Sequence, residues 1–220
     1  MPSVIADVKR LRVVLAEDHE SVREGLRVLF ETRGNMDVVR GVADGPSAIA
    51  AASALQPDVV VLDLSMPGMS GLVATRQIKA AAPGVAVVIL TRHAEYAYVQ
   101  ELFAAGADAY VLKQSPFDEL VKAVRSAAVG HRYLDRAAMP SHGGQPADVF
   151  REPRSSATDR EMTVLRLAAL GNSNKDIAAI LNIAVKTVEV HKSSAMRKLQ
   201  LRDRADVLRF AVVKGWLQDV

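Results

Sequence analysis

The fold is decided by the stretch VVVLDLSMPGMSG, which is residues 59–71. Its first part, Val59–Leu62, is a run of apolar and mostly β-branched residues, which is typical of a strand buried on both faces. Asp63 follows at the end of this strand, Pro67-Gly68 predicts a turn, and Gly71–Ala81 has the apolar period of a helix. The stretch therefore predicts a strand, a turn and a helix, with a carboxylate at the carboxyl end of the strand.

The same alternation of strand and helix occurs five times between Leu11 and about Gly130. The predicted strands are Leu11–Ala16, Asp37–Val42, Val59–Leu62, Val85–Leu90 and Ala109–Leu112. The predicted helices are Glu20–Thr32, Pro46–Leu55, Gly71–Ala81, Glu95–Ala105 and Pro116–Ala128. Apolar strands that alternate with helices predict an α/β fold, a doubly wound parallel (βα)5 sheet.

The length of 220 residues suits two domains, because single domains commonly hold about 100 to 150 residues. We interpret residues 1–10 as an N-terminal tail and 11–130 as the α/β domain. Residues 131–153, which are rich in proline and glycine, are interpreted as an interdomain linker, and 154–220 as a second, smaller all-α domain.

Composition narrows the class of protein. The chain has no cysteine, which excludes disulfides, thiolate metal sites and thiol catalysis. No stretch reaches about 18 uninterrupted apolar residues, so we expect no membrane contact and a cytoplasmic location. Residues 1–130 hold 13 Lys and Arg against 15 Asp and Glu, a net charge of −2, and residues 131–220 hold 15 against 10, a net charge of +5. The basic second part suits DNA without proving it.

Chemically active residues stand just after the predicted strands. They are Glu17, Asp18, Asp63, Thr91 and Lys113. Ligands of doubly wound sheets bind at the carboxyl ends of the strands, where these residues are expected to meet. Converging carboxylates repel each other unless a cation lies among them, and Mg²⁺ is the expected cofactor. Each residue alone suits a cap, a turn or the surface, but together they predict a phosphoacceptor site in which Asp63 is the nucleophile, Lys113 neutralises charge and Thr91 binds a phosphoryl oxygen.

The second part of the chain predicts a helix-turn-helix. Thr158-Asp-Arg-Glu161 is a capping box that starts a helix near Asp159, and Gly171 ends that helix. A short helix, Asn174–Leu181, and a longer one from about Val185 to Leu199 follow. The candidate DNA-binding residues are Lys175, Lys186, Thr187, Glu189, Val190, Lys192, Ser193, Arg197 and Lys198. Residues near the start of the third helix are expected to reach base edges, and Lys175, Lys192, Arg197 and Lys198 to contact phosphates.

The stretch from Val59 to Gly71, with its acidic and basic partners, resembles the phosphorylation segment of response-regulator receiver domains. The resemblance implies that Asp18 and Asp63 bind Mg²⁺ together with the backbone carbonyl of Ser65, and that Glu17 acts through water. It also implies that Tyr110 is the aromatic switch residue, for which packing within a strand is the alternative. A sensor histidine kinase is the implied phosphoryl donor.

The second half resembles the LuxR-type helix-turn-helix over residues 156–214. The resemblance rests on Thr158-Asp-Arg-Glu, Gly171-Asn-Ser-Asn-Lys-Asp-Ile-Ala, Lys186-Thr-Val-Glu-Val-His and Arg197-Lys-Leu-Gln-Leu-Arg-Asp-Arg-Ala. Joined to a receiver, this domain is typical of NarL/FixJ-type response regulators. The implied protein is a transcription factor whose phosphorylation at Asp63 controls binding to a double-stranded DNA operator, as a homodimer when active. The final helix, Arg204–Trp216, is the implied dimer surface, although Trp216 has the alternative of packing under the tail.

Two other functions remain open. A phosphatase of the haloacid-dehalogenase type would use Asp63 as a transient nucleophile, but it needs an acid two residues later, where this chain has Ser65. The protein is therefore expected not to be an enzyme beyond slow self-dephosphorylation. A regulator that works without phosphorylation is the other alternative, although the complete set of Glu17, Asp18 and Lys113 disfavours it.

Overall fold

The computed structural model describes residues 10–93, 96–139 and 157–217. Nearly all of the predicted N-terminal tail and most of the predicted linker lie outside these residues. The strands are β1 (Leu11–Ala16), β2 (Met36–Val42), β3 (Val59–Asp63), β4 (Ala86–Thr91), β5 (Ala109–Leu112) and β6 (Tyr133–Leu134). The α-helices are α1 (Glu20–Leu29), α2 (Gly45–Leu55), α3 (Gly71–Ala81), α4 (Tyr96–Ala104), α5 (Phe117–Ala128), α6 (Asp159–Ala169), α7 (Asn174–Leu181), α8 (Val185–Lys198) and α9 (Arg204–Val213).

The first domain is a parallel sheet with helices on both faces. Its strand order is β2-β1-β3-β4-β5-β6, and every neighbouring pair is parallel. Successive side chains of a strand point to opposite faces, so Val60 and Leu62 of β3 join one apolar cluster while Val59 and Val61 join the other. Covering both faces explains why the strands are apolar throughout, and the predicted doubly wound fold is confirmed.

The first helix differs from its prediction. It was predicted to run from Glu20 to Thr32, but α1 ends at Leu29 and a π-helical turn follows over Phe30–Gly34. Phe30 is fully buried, and its ring meets the ring of Phe117 edge-on with centroids 5.2 Å apart. The wider turn has a different residue period from the α-helix, so a search for the 3.6-residue period does not detect it.

The sixth strand lies in residues that we predicted to belong to the linker. β6 pairs with β5 in parallel, with Tyr133 opposite Ala109 and Leu134 opposite Tyr110. A short 3₁₀ helix over Arg136–Ala138 follows. The sheet thus extends beyond residue 130, where the sequence placed the end of the domain. A strand of two residues is too short to produce a period in the sequence.

Within residues 157–217, the second domain has four helices that largely match the predicted ones. The capping box is present, because the Thr158 hydroxyl accepts from Glu161 N and the Glu161 carboxylate accepts from Thr158 N. The last helix is shorter than predicted, since α9 ends at Val213. Trp216 then turns back, and its ring meets Phe210 edge-on at 5.6 Å between centroids.

The two domains meet where α9 contacts α4. The ring of Phe210 stacks on the ring of Tyr98, and Lys214 forms an ion pair with Glu101. Tyr98 and Phe210 are both fully buried and belong to one continuous apolar cluster. Among the helices described, none is long and apolar enough to cross a membrane.

Candidate phosphoacceptor and DNA-binding sites

The carboxyl edge of the sheet gathers several of the predicted side chains. Glu17, Asp63 and Thr91 follow or end β1, β3 and β4, and all three are buried. The backbone of Glu17 is fixed on both sides, because Glu17 N donates to Val42 O at 3.0 Å and the Arg23 guanidinium donates to Glu17 O at 2.7 Å. The sheet therefore presents buried carboxylates at one edge in a defined position.

Lys113 joins two of these carboxylates. Its Nζ lies 2.6 Å from Glu17 Oε2 and 2.8 Å from Asp63 Oδ2. Burial alone would lower the pKa of Lys113, but the hydrogen bonds to Asp63 and Glu17 outweigh it and raise the pKa. The lysine is thus held as a cation beside Asp63, where it can offset the negative charge of a group that binds at Asp63.

Asp18 lies at the outer side of this edge with a neighbour that the sequence analysis did not select. His19 Nδ1 is 2.8 Å from Asp18 Oδ1 and 3.2 Å from Glu17 Oε1. Possible ligand atoms of Glu17, Asp18 and His19 all lie within 4.8 Å of one another. Asp63 is not part of that group and connects to it through Lys113. The only signal for His19 in the sequence is its position directly after the acidic pair.

The turn after Asp63 depends on a glycine. Ser65 N donates to Asp63 Oδ1 at 3.2 Å, and Gly71 N donates to Leu64 O at 3.0 Å. A Cβ at Gly71 would lie 2.8 Å from Leu64 Cα and 2.9 Å from Asp63 O, which are rigid backbone atoms. Glycine thus lets α3 begin directly against the residue that carries the candidate nucleophile.

Thr91 and Tyr110 form the third part of this edge. The Thr91 hydroxyl accepts from His93 N at 3.2 Å, and Lys113 N donates to Thr91 O at 2.7 Å. Tyr110 is fully buried, and its hydroxyl donates to His93 O at 2.6 Å. His93, which the sequence analysis also missed, lies with Nε2 3.5 Å from Ser65 Oγ. The backbone of His93 therefore connects the Thr91 hydroxyl with Tyr110, the predicted switch residue.

A second candidate site is the outer face of α8. Exposed side chains line one open groove along this helix, while Val188 points into the core. The groove is lined by Lys186, Glu189, Val190, Ser193, Ser194 and Arg197. Lys186 and Glu189 form an exposed ion pair at 3.2 Å. Most of the predicted DNA-binding residues of α8 thus share one accessible face.

Three predicted residues lie beside that groove or behind it. Lys175 is exposed near the start of α7, and Lys192 lines a neighbouring cleft together with Arg204 of α9. Lys198 has a different environment, because its Nζ lies 2.8 Å from Oε2 of the buried Glu161. That ion pair connects the end of α8 to the start of α6, so the structure gives Lys198 a partner inside the domain.

The ion pair also determines the protonation of Glu161. Its hydrogen bonds to Lys198 and Ser194, with those of Thr158, lower the pKa of Glu161 to about 2. Glu161 therefore serves both the capping box and the packing of α8 against α6. The sequence predicted the first role, but the second needs residues 37 positions apart in the chain to meet.

Two family profiles match the chain, one in each domain. The profile described as "Response regulator receiver domain" matches residues 13–125, and the profile described as "Bacterial regulatory proteins, luxR family" matches residues 155–211. The oxygen regulatory protein NreC of Staphylococcus carnosus is 36% identical, over 94% of this chain and 99% of that protein. NreC of Staphylococcus aureus is 34% identical, over 94% of this chain and all of that protein.

Solved structures of RcsB are similar over both domains. A structure of two RcsB dimers bound to two parallel DNAs has a TM-score of 0.75 and 27% identity, and covers 93% of this chain and 98% of that chain. The structure of RcsB from Salmonella enterica serovar Typhimurium, bound to a promoter in the presence of the phosphomimetic BeF3⁻, has a TM-score of 0.76 and 26% identity. It covers 93% of this chain and 99% of that chain. Another structure of the Salmonella typhimurium RcsB response regulator has a TM-score of 0.55 and 27% identity, and covers 92% of this chain and 99% of that chain.

Proposed function

Because the chain belongs to the response regulators that join a receiver domain to a luxR-family DNA-binding domain, we propose that Asp63 accepts a phosphoryl group from a sensor histidine kinase and thereby controls DNA binding by α8. The protein is a response regulator and transcription factor. The observation that carries the choice of Asp63 is its position, buried at the end of β3 and 2.8 Å from the Lys113 ammonium.

The residues at this edge suit phosphoryl transfer to a carboxylate. An Asp63 oxygen attacks the phosphorus, so a P–O bond forms while the P–N bond to the kinase histidine breaks. The Lys113 ammonium offsets negative charge on the phosphoryl oxygens, and the Thr91 hydroxyl donates to one of them. Thr91 is fully buried at the end of β4, so the sheet sets the position of its backbone at this edge.

The same edge fits a magnesium ion. Glu17, Asp18 and Asp63 supply carboxylate oxygens and Ser65 supplies a backbone carbonyl, which are the hard oxygen ligands that Mg²⁺ prefers. Bound there, the ion would offset charge on the phosphoryl oxygens. Of the three carboxylates, that of Asp18 is the most exposed, and its Oδ1 lies 2.8 Å from His19 Nδ1. Asp18→Asn is expected to abolish Mg²⁺-dependent phosphorylation without removing Lys113 from Asp63.

Coupling to the second domain follows a continuous set of contacts. Tyr110 OH binds His93 O, the His93 ring meets the Tyr98 ring edge-on at 5.3 Å, and Tyr98 stacks on Phe210 of α9. Phosphorylation that draws the Thr91 hydroxyl to a phosphoryl oxygen would change its contact with His93 N. A two-state shift of this segment would then bias the position of α9.

Helix α9 contacts α4 with one face and has exposed apolar side chains that a second copy of the chain could contact. Phe210 and Ala211 are buried, whereas Leu208 and Val212 are exposed on the opposite face of α9. The RcsB superpositions cover 93% of this chain, which includes both domains, and those proteins are described as bound to DNA. Both observations support a homodimer on DNA.

Members of this family are regulators and generally not enzymes. We propose that self-dephosphorylation of this protein is slow, because Ser65 has a hydroxyl at the position where a phosphatase needs an acid to activate water. A regulator that works without phosphorylation is disfavoured because the acidic and basic set is complete, with Lys113 in contact with both Glu17 and Asp63.

The deciding experiment measures DNA binding before and after phosphorylation. DNA ligands are first selected from a random library with the wild-type protein treated with BeF3⁻. Affinity for a selected duplex is then measured for wild type and Asp63→Asn, each with and without acetyl phosphate and Mg²⁺. We expect at least a fivefold gain for the wild type and none for Asp63→Asn. Equal affinities in all four samples would contradict the proposal and favour the phosphorylation-independent regulator.

A further inference from the structure

Asp135 is a buried carboxylate that the proposed function does not use. It lies directly after β6 and is 2% exposed. One of its oxygens, Oδ2, accepts from Leu112 N at 3.1 Å and from the Ser115 hydroxyl at 2.5 Å. The other, Oδ1, accepts from Ala137 N at 2.9 Å. A single side chain thus connects the end of β5 to the short 3₁₀ helix after β6.

The two β5-side partners stand on either side of Lys113. Leu112 immediately precedes it and Ser115 follows two residues later. The backbone of Asp135 is attached to the same strand, because Asp135 N donates to Tyr110 O at 2.9 Å. The segment that holds the Lys113 ammonium against Asp63 is therefore bound by Asp135 before and after the lysine.

A carboxylate occupies this position because β6 is too short to pair with the last residues of β5. The pairing of β6 with β5 stops at Tyr110 and Leu134, so β6 provides no paired residue opposite Leu112. The Asp135 carboxylate takes the place of that missing carbonyl. It also allows the chain to turn away into Arg136–Ala138, which lie on the covalent path to the second domain.

We propose that Asp135 is a positioning residue for Lys113, which connects the start of the interdomain segment to the phosphoacceptor site. The proposal rests on the proposed role of Lys113 in phosphorylation.

The test compares the rate of phosphorylation by saturating acetyl phosphate and Mg²⁺ in full-length variants, resolved on phosphate-affinity gels. Asp135→Ala is expected to reduce the rate constant by about 10- to 100-fold, because a displacement of about 1 Å has effects of that size. Asp135→Asn keeps an oxygen for Leu112 N and Ser115, so it should stay within about threefold of wild type. Thermal melts confirm that each variant is folded.

Asp108→Ala is the matched control. Asp108 also binds a backbone N–H, that of Val87 at 2.8 Å, but at the opposite end of β5. It should leave the rate unchanged once folding is confirmed. An equal loss in Asp108→Ala and Asp135→Ala would assign the effect to general damage and overturn the proposal.

A double-mutant cycle with Lys113→Met separates positioning from mere stability. Since Asp135 acts through Lys113, adding Asp135→Ala to Lys113→Met should lower the rate no further. A full additional loss in the double variant, or a wild-type rate in Asp135→Ala, would contradict the inference. Failure of the wild type itself to be phosphorylated at Asp63 would instead contradict the proposed function, so the two failures are distinguishable.

Discussion

The ring of Tyr98 in the receiver domain stacks on the ring of Phe210 in the DNA-binding domain, with centroids 6.2 Å apart and planes 25° from parallel. An ion pair between Glu101 and Lys214 lies beside this contact, with both side chains mostly buried. The contact joins the end of the proposed switch segment to α9. We therefore expect a change at the phosphoacceptor edge to reach the DNA-binding domain through this contact.

Reversing one charge of that ion pair should weaken the coupling. In Lys214→Glu, two carboxylates would face each other beside Tyr98 and Phe210. We expect the gain in DNA affinity on BeF3⁻ treatment to fall by about fivefold, at the lower end of typical coupling energies. The double variant Glu101→Lys with Lys214→Glu restores opposite charges and should recover most of the gain. Fluorescence anisotropy with a labelled duplex measures this, and a wild-type gain in the single variant would contradict the role of the contact.

Gly71 should tolerate no side chain. Gly71→Ala places a Cβ less than 3.0 Å from backbone atoms of Asp63 and Leu64, so the start of α3 must shift. We expect a loss of about 1–3 kcal/mol in the free energy of unfolding, the usual range for overpacking, with slower phosphorylation of Asp63. Gly84→Ala is the control, since a Cβ there meets nothing within 4 Å. Urea denaturation of both variants makes the comparison, and equal stabilities would count against the close approach.

Acid should remove the contribution of Glu161 to stability. Hydrogen bonds, that to Lys198 foremost, lower its pKa to about 2 in the folded chain, from an ordinary value of 4.5. Because the folded pKa is the lower one, this contribution is complete above about pH 4.5 and is lost as the pH falls toward 2. Glu161→Gln should therefore lower the free energy of unfolding by about 2 kcal/mol at pH 7 and by much less at pH 3.

Asp159→Asn is the control for the Glu161 experiment. Asp159 is an exposed acidic residue in the same first turn of α6, so this variant removes a comparable charge near the helix start without touching Lys198. Asp159→Asn should lower the free energy of unfolding by about 0.5 kcal/mol. A deficit in Glu161→Gln that stays constant from pH 7 to pH 3 would rule out the ion pair as its cause.

The outer face of α8 should control the salt dependence of DNA binding. Arg197→Ala is expected to weaken binding for all sequences and to reduce the slope of log affinity against log salt by about 1, as expected for one phosphate contact. Arg76→Ala removes the same charge from an exposed position on α3 and should change neither quantity. A titration at several salt concentrations decides, and an unchanged slope in Arg197→Ala would remove that residue from the interface.

Glu189 should act on specificity more than on affinity. Its carboxylate is exposed on the same face and paired with Lys186. Glu189→Gln removes repulsion from phosphates, so we expect tighter binding to unselected DNA and a smaller preference for the selected sequence. Competition with random duplex measures the preference, and an unchanged ratio of the two affinities would place Glu189 away from base edges.

Much of the site was predictable from where residues stand relative to strands. The apolar runs locate the strands, and parallel strands bring their carboxyl ends to one edge. The sequence therefore predicts that Glu17, Asp63 and Lys113 meet there. His19 and His93 were missed because each approaches this edge through a loop. The period of a strand or helix says nothing about the direction of a loop side chain.

The sequence by itself determined the α/β class, the helix-turn-helix, the capping box at Thr158 and the residues at the phosphoacceptor edge, because periods, caps and strand ends are local properties of the chain. Only the tertiary structure decided the sixth strand, the attachment of Asp135 beside Lys113, the pairing of Lys198 with Glu161 and the stacking of Tyr98 on Phe210. Each of these joins residues far apart in the chain or in different elements, and their approach depends on how whole elements pack.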